Sequence, residues 1–195
     1  MGGDWLAEGR TELAAERILD AVRALVIDKG AGTVGMAEVA EAAGCSRATL
    51  YRYFDNRQTL YVAFAGREAT QLIERVWRAH PLDGPDRAER LLDGLVATLA
   101  ETRKTPHLAV WFDPANAGIV ARLSDSSTVI DALVTAFVAR FRHDLSPAAA
   151  ERLGRWAVRV MVSLLTLPPA GEDEERALLR TFLLPFLLDP GLPIG

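Results

Sequence analysis

The sequence predicts an all-α protein: an N-terminal three-helix helix-turn-helix unit followed by a larger helical body. Three observations carry this. Ala and Leu supply 31 and 27 of the 195 residues, and these are strong helix formers. Apolar residues recur at steps of three and four along almost the whole chain, the spacing of one helix face. Runs of Val, Ile and Thr that would mark strands are scarce. Half of the residues are hydrophobic and a quarter charged, a globular composition rather than a disordered one.

The first helix is expected over about Thr11–Lys29, with Ile18, Val22, Leu25 and Val26 as its stripe. Gly30-Ala31-Gly32 ends it, as glycines after a helix C-terminus do. A short helix follows at Met36–Ala43, with Met36, Val39 and Ala40 inward, and Gly44 breaks it. Ser46 is a suitable N-cap for a third helix, Arg47–Phe54. After Asp55-Asn56 comes a long helix, 57–80, carrying Leu60, Phe64, Leu72, Ile73, Val76 and Trp77 and stopped by His80-Pro81. With no flexible linker in the chain, this helix is expected to join two parts rigidly, residues 1–56 and 57–195. In the second part, Gly84-Pro85 opens a helix with Ala88, Leu91, Leu92, Leu95, Val96 and Leu99 on one stripe. Pro106, Pro114 and Gly118 break 105–123 into short pieces. Ser126 or Ser127 caps a helix through Ile130, Leu133, Val134, Phe137, Val138 and Phe141. Ser146-Pro147 opens another that Pro168-Pro169 stops, and a last helix spans about Asp173–Leu188.

Several classes are excluded early. The longest uncharged stretch, Val160–Gly171, has 12 residues and two prolines, too short for a membrane span. Met1-Gly2-Gly3-Asp4 does not begin a secretory signal. The lone Cys45 rules out an internal disulfide framework and fits a reducing, cytoplasmic setting. Cys45 itself reads as a packing residue of the turn rather than a redox sensor. His80, His107 and His143 show no metal spacing, so no metal or cofactor is expected. The formal charge is −4, yet residues 44–80 carry six Arg against Asp55, Glu68 and Glu74. A basic island in an acidic chain is compatible with a face for DNA.

Met36–Ala43, a turn at Gly44-Cys45-Ser46 and Arg47–Phe54 make a helix-turn-helix. The run Ala43-Gly44-Cys45-Ser46-Arg47-Ala48-Thr49-Leu50-Tyr51-Arg52-Tyr53-Phe54-Asp55-Asn56-Arg57 closely resembles the signature of the TetR (tetracycline repressor) family of bacterial regulators. The resemblance extends upstream through Arg17–Ala21 and Asp28-Lys29-Gly30 and downstream through Gln58–Tyr61. It implies a homodimer that binds a palindromic double-stranded DNA operator and is released by a small ligand. Residue chemistry points the same way. The N-terminal end of a recognition helix lies closest to base edges, and here it carries Ser46, Arg47, Ala48 and Thr49. Arg47 can bind guanine in bidentate fashion, and Ala48 can touch a thymine methyl. Similarity to the family places the Tyr51 and Tyr53 hydroxyls on phosphates, with Arg57 and the amide end of the long helix on a neighbouring phosphate. Arg52 points elsewhere, toward the DNA backbone. Gly35 departs from the family pattern, which usually has Ser or Thr there. A glycine caps less well by a few tenths of a kcal/mol and lacks a hydroxyl that often touches phosphate. The arm Gly2–Arg10, with one Arg against Asp4 and Glu8, is a poor minor-groove contact.

Two other patterns compete for the same residues. Gly30-Ala31-Gly32-Thr33-Val34-Gly35 is a literal G-x-G-x-x-G, with Asp55 20 residues after Gly35, the fingerprint of a dinucleotide-binding enzyme. The apolar residues before it belong to a helical stripe reaching back to Ile18, and nothing downstream supplies a parallel sheet. Gly44-Cys45-Ser46-Arg47-Ala48 resembles a nucleophile elbow, but no strand precedes it, so Ser46 reads as a helix cap. The expectation is therefore a regulator without catalysis. Activation rather than repression, regulation without a ligand, and a helical scaffold without DNA binding are the alternatives.

Most aromatic residues of the second part must be core. Trp111-Phe112 stands out because it lies between Pro106 and Pro114, where helix ends can leave an opening. A ligand pocket is expected around Trp77, Trp111, Phe112 and Phe137, with Arg103, His107 and Asn116 as its polar groups and a small apolar effector as its occupant. The helices after Pro147 and Asp173 are apolar around most of their circumference, which suggests one face in the core and one on a partner. Trp156, Val160, Leu164, Leu179, Phe182 and Phe186 are the expected subunit-facing residues. By family similarity these helices form a four-helix bundle across a two-fold axis.

Overall fold

The computed structural model describes residues 5–113, 116, 119 and 127–192, with residues 5–11 described by their backbone alone. The described residues contain helices and no strand. The chain forms two compact units, residues 1–65 and 66–195.

The first unit contains α1 (Trp5–Lys29), α2 (Met36–Ala42), α3 (Arg47–Tyr53) and the start of α4 (Arg57–Ala79). Helix α1 begins about two turns earlier than its apolar stripe announces. Ile18, Val22 and Val26 of that stripe are buried beside Leu19, while Leu25 is half-buried. Val39 and Ala40 of α2, Leu50 of α3 and Leu60 and Phe64 of α4 complete this core.

The second unit holds the rest of α4, α5 (Arg87–Lys104), α6 (Pro106–Ala109), a 3-10 turn (Val110–Phe112), α7 (Thr128–Ala139), α8 (Pro147–Thr166), α9 (Glu172–Phe182) and α10 (Leu184–Leu188). Ser127 and Ser146 cap α7 and α8 by accepting the amides of Ile130 and Ala149. The expected breaks at Pro114 and Gly118 and the alternative cap Ser126 lie outside the described residues. The last helix is not continuous as expected. It divides at Leu183, because Pro185 has no amide to donate into the preceding turn.

Helix α5 is the centre of this unit. It packs against α6, α8, α9 and α10, and its Leu91, Leu92 and Leu99 are fully buried. Gly94 lets α4 come close: a Cβ there would lie 2.2 Å from the Trp77 ring. A ladder of ion pairs fastens α9 to α5, with Arg176 on Asp93 at 2.7 Å and Arg180 on Glu89 at 2.6 Å.

Candidate nucleic-acid interface

The turn between α2 and α3 depends on Gly44, whose φ of +65° lies in the left-handed region that favours glycine. The Cys45 amide then donates to the Ala40 carbonyl at 2.9 Å, closing α2. Ser46 begins α3 by accepting the Thr49 amide at 3.0 Å, and the two hydroxyls lie 2.9 Å apart. The cap expected from the sequence is therefore made. It also occupies Ser46 and Thr49 with each other. Leu50 faces the core at 0% exposure. One helical turn around from it, Arg47, Ala48, Tyr51 and Arg52 are all exposed. Pinning α3 by Leu50 turns this basic and aromatic face outward.

The two tyrosines differ in setting. Tyr51 is 47% exposed, whereas Tyr53 is half-buried with the Arg52 guanidinium 5.4 Å from its ring centre. Arg57 is exposed at the first residue of α4, 5.8 Å from the Tyr61 ring centre. Asn56 caps that helix. Its Oδ1 accepts the Thr59 amide at 2.9 Å, and its own amide donates to Thr59 Oγ1 at 3.2 Å. The Arg57 and Gln58 amides stay at the open, electropositive helix end.

Two devices hold this surface that sequence spacing does not display. The Tyr61 hydroxyl shares its proton between the carbonyls of Ala31, at 2.9 Å, and Val34, at 3.0 Å. This ties α4 to the α1–α2 connection, and burial pushes the phenol pKa up against the opposing pull of Arg57. Gly35 begins α2 without a side-chain cap. Glu38 compensates: its Oε2 accepts the Gly35 amide at 2.9 Å, and its Oε1 accepts from Lys29 Nζ at 2.6 Å. The Lys29 hydrogen bond, then that of the Gly35 amide, holds the Glu38 carboxyl below the usual glutamate range.

In the second unit two of the expected pocket residues are in contact. Trp77 and Phe137 meet, with ring centres 4.9 Å apart, and Phe141 extends the stack at 5.2 Å. Trp111 is buried and Phe112 half-buried. Each of the three polar groups bonds within the chain. Arg103 bonds the buried Glu175 of α9 and the Leu164 carbonyl of α8. His107 Nε2 lies 2.8 Å from Glu68 Oε2. Asn116 donates to the nearby Val110 carbonyl. Glu68, 3% exposed and also bound by Arg67, is a buried charge that helical spacing alone could not flag.

The expected partner-facing residues divide as well. Phe182 is 60% and Trp156 38% exposed, and Leu167, not anticipated, is 72% exposed. Phe186 is half-buried with its ring 5.3 Å from that of Trp156, and Val160 is half-buried. Leu164 and Leu179 are instead core residues of the single chain. Both belong to the core cluster that also holds Leu91, Leu92 and Leu99 of α5, so their place on the partner face is corrected.

Residues 18–64 match the family model of bacterial regulatory proteins of the tetR family. An HTH-type transcriptional regulator of Mycobacterium tuberculosis is 44% identical over 186 residues, which cover 95% of this chain and 91% of that protein. The chain belongs to the TetR family. A second M. tuberculosis member, the regulator AlkX, is 27% identical over 92% of this chain and 88% of its own. The crystal structure of the TetR family repressor AlkX from Dietzia, a protein implicated in biodegradation of n-alkanes, shares the fold. Its TM-score is 0.66 at 22% identity, over 89% of this chain and 94% of that one. As a TetR-family member the chain is a DNA-binding transcriptional regulator, not an enzyme. The dinucleotide fingerprint dissolves on the same ground, since residues 24–27 before it are part of α1 and form no strand. No helix among the described residues is long and apolar enough to cross a membrane.

Proposed function

We propose that this regulator is a homodimeric repressor that binds a palindromic operator and releases it when a small apolar effector binds the second unit. The observation that carries the DNA-binding part is the face of α3: Arg47, Ala48, Tyr51 and Arg52 exposed side by side on a helix pinned by Leu50 and capped by Ser46. In this reading Arg47 reads guanine and Ala48 a thymine methyl. Tyr51, Tyr53, Arg52 and Arg57, with the end of α2 at Gly35, hold phosphates. Ser46 and Thr49 fix the start of the reading helix.

The effector is placed near the Trp77–Phe137 stack and Trp111, with His107 and Asn116 at its polar end. The Dietzia repressor's link to n-alkanes makes straight-chain alkanes the first probes. Repression with ligand release is preferred over activation because the AlkX relative of known structure is a repressor. Helix α4 is common to both units, so an effector that favours one conformation of α4 changes operator affinity, typically by about 1–3 kcal/mol.

The test is selection of bound sequences from a random DNA library, followed by binding isotherms. A palindrome is expected, with half-site centres about 34–36 Å apart or a multiple of that. Arg47→Ala should cost about 1–3 kcal/mol and relax preference at one position in each half-site. Unchanged affinity and selectivity in that variant would remove Arg47 from base reading.

A further inference from the structure

Among the described cations of the first unit, two engage no carboxylate, carbonyl or ring: Arg47 and Arg17. Lys29 is paired with Glu38, Arg52 and Arg57 lie against tyrosine rings, and Arg23 has a partner of its own. Arg47 stands on the exposed face of α3. Arg17 belongs to α1 and is exposed. The carboxylates nearest to it on that helix, Glu16 and Asp20, are engaged with other groups.

The position of this free charge is set by the fold. Ile18 and Leu19 beside it are 2% and 5% exposed, so the core fixes the rotation of α1 and with it the side on which Arg17 stands. That side is the turn between α2 and α3: a Cβ placed on Gly44 would lie 3.8 Å from Arg17 Nη2. The turn does not need the guanidinium. Its Gly44 and Cys45 amides already close it on the Glu41 and Ala40 carbonyls, at 3.0 and 2.9 Å. The N–H donors of Arg17 therefore stay open beside the segment that leads into Ser46 and α3, the helix end closest to base edges in a helix-turn-helix. A planar, always-charged fork of donors matches the oxygens of a phosphate. The grooves of DNA are walled by phosphates, and most contacts to them come from side chains of this type.

We infer that Arg17 is a phosphate-binding residue of the DNA interface, reaching from α1 past the Gly44 turn to the DNA backbone beside the reading end of α3. Phosphate contacts set register and orientation without carrying sequence information. Arg17 from α1 and Arg57 from α4 then hold the backbone from two different helices and fix how α3 lies in the groove. The inference rests on α3 being the DNA-facing helix, and on neither the dimer nor the effector.

Binding isotherms of the full chain over a salt series test it, on the duplex selected from the random library and on a mixed-sequence duplex. Arg17→Gln is expected to weaken binding to both duplexes several-fold and by the same factor. It should also lower the slope of log affinity against log salt by about 0.9 for each protomer bound. Arg17→Lys should keep the slope and lose less affinity. On the selected duplex, single phosphates replaced by neutral methylphosphonates should reveal a position whose neutralisation weakens wild type but leaves Arg17→Gln unaffected. An unchanged salt slope in Arg17→Gln overturns the inference. It does so whether affinity is kept or is lost together with a lowered melting temperature, which makes Arg17 a support of the turn. Altered preference at one base position overturns it as well, by making Arg17 a base reader. If Arg17→Gln does not fold, Arg17→Lys takes its place in the phosphate scan, and losses equal to wild type at every position then overturn the inference. Unchanged selectivity in Arg47→Ala, measured alongside, removes Arg47 from base reading and leaves the Arg17 contact standing.

Discussion

Tyr61 shows how much of the DNA-facing unit depends on single polar atoms. Its hydroxyl meets carbonyls 30 and 27 residues earlier in the chain, in the connection that sets where α2 begins. Tyr61→Phe leaves two buried carbonyls without this donor, a loss of about 1–3 kcal/mol. Thermal unfolding should show the lowered stability, and amide exchange should rise across residues 30–35. A melting temperature equal to wild type would mean that other donors satisfy those carbonyls. Ser46 was readable as a cap because its partner lies three residues away. Tyr61 was not, because hydroxyl-to-carbonyl pairs of long sequence separation leave no periodic signal. The same holds for Arg103, whose partner Glu175 is 72 residues away.

Among the elements, α2 begins on an exposed ion pair and so responds to solution conditions. Its start relies on the Glu38 carboxylate, which both the Gly35 amide and Lys29 hold in its charged form. A carboxyl held low stabilises the folded state fully above the ordinary glutamate range, and the contribution is lost as pH falls through the lowered value. Lys29 is held high, chiefly by its hydrogen bond to Glu38, so its share persists until pH rises through that raised value. The pair therefore acts across the whole neutral range. Denaturant midpoints measured against pH should fall on acidification in wild type and vary less in Glu38→Gln, which starts lower. Equal acid limbs in the two proteins would exclude Glu38 as their source. High salt should shrink the difference, because the pair lies at the surface. The weak cap at Gly35 is legible in the sequence, but the compensation by Glu38 is not. The Lys29 contribution required α1 and α2 to be packed together. At the other end of the chain the periodic apolar pattern ran through Leu183 without a gap, so one helix was expected where Pro185 produces two.

At the scale of the whole molecule, the proposed operator binding requires two recognition helices at fixed spacing, which the proposed two-fold dimer would provide. Phe182, 60% exposed on α9, is the residue to test. Phe182→Glu places a charge on the proposed partner face without entering the core. It should yield folded monomers by light scattering and lose most operator affinity, while Phe182→Leu stays dimeric. A dimeric Phe182→Glu protein would move the interface elsewhere. Leu164→Glu would not test this face, since Leu164 is buried within the chain and its charge would unfold the unit first.

The sequence by itself determined the helical class, nearly every helix of the first unit and the face of α3. Those properties follow from local spacing, from glycines and caps within four residues, and from a dense motif at 43–57. It also determined which helices of the second unit carry too much apolar surface for one face. Only the tertiary structure decided how that surface is shared. Leu164 and Leu179 turn inward while Phe182 and Trp156 remain outside, and the polar groups expected around one pocket take Glu175, Glu68 and the Val110 carbonyl as their partners. The physical reason is common to these cases. A helix that is apolar all round has no preferred rotation until its neighbours are in place, and a charged side chain entering a core goes to whichever opposite charge or carbonyl the packing brings within reach.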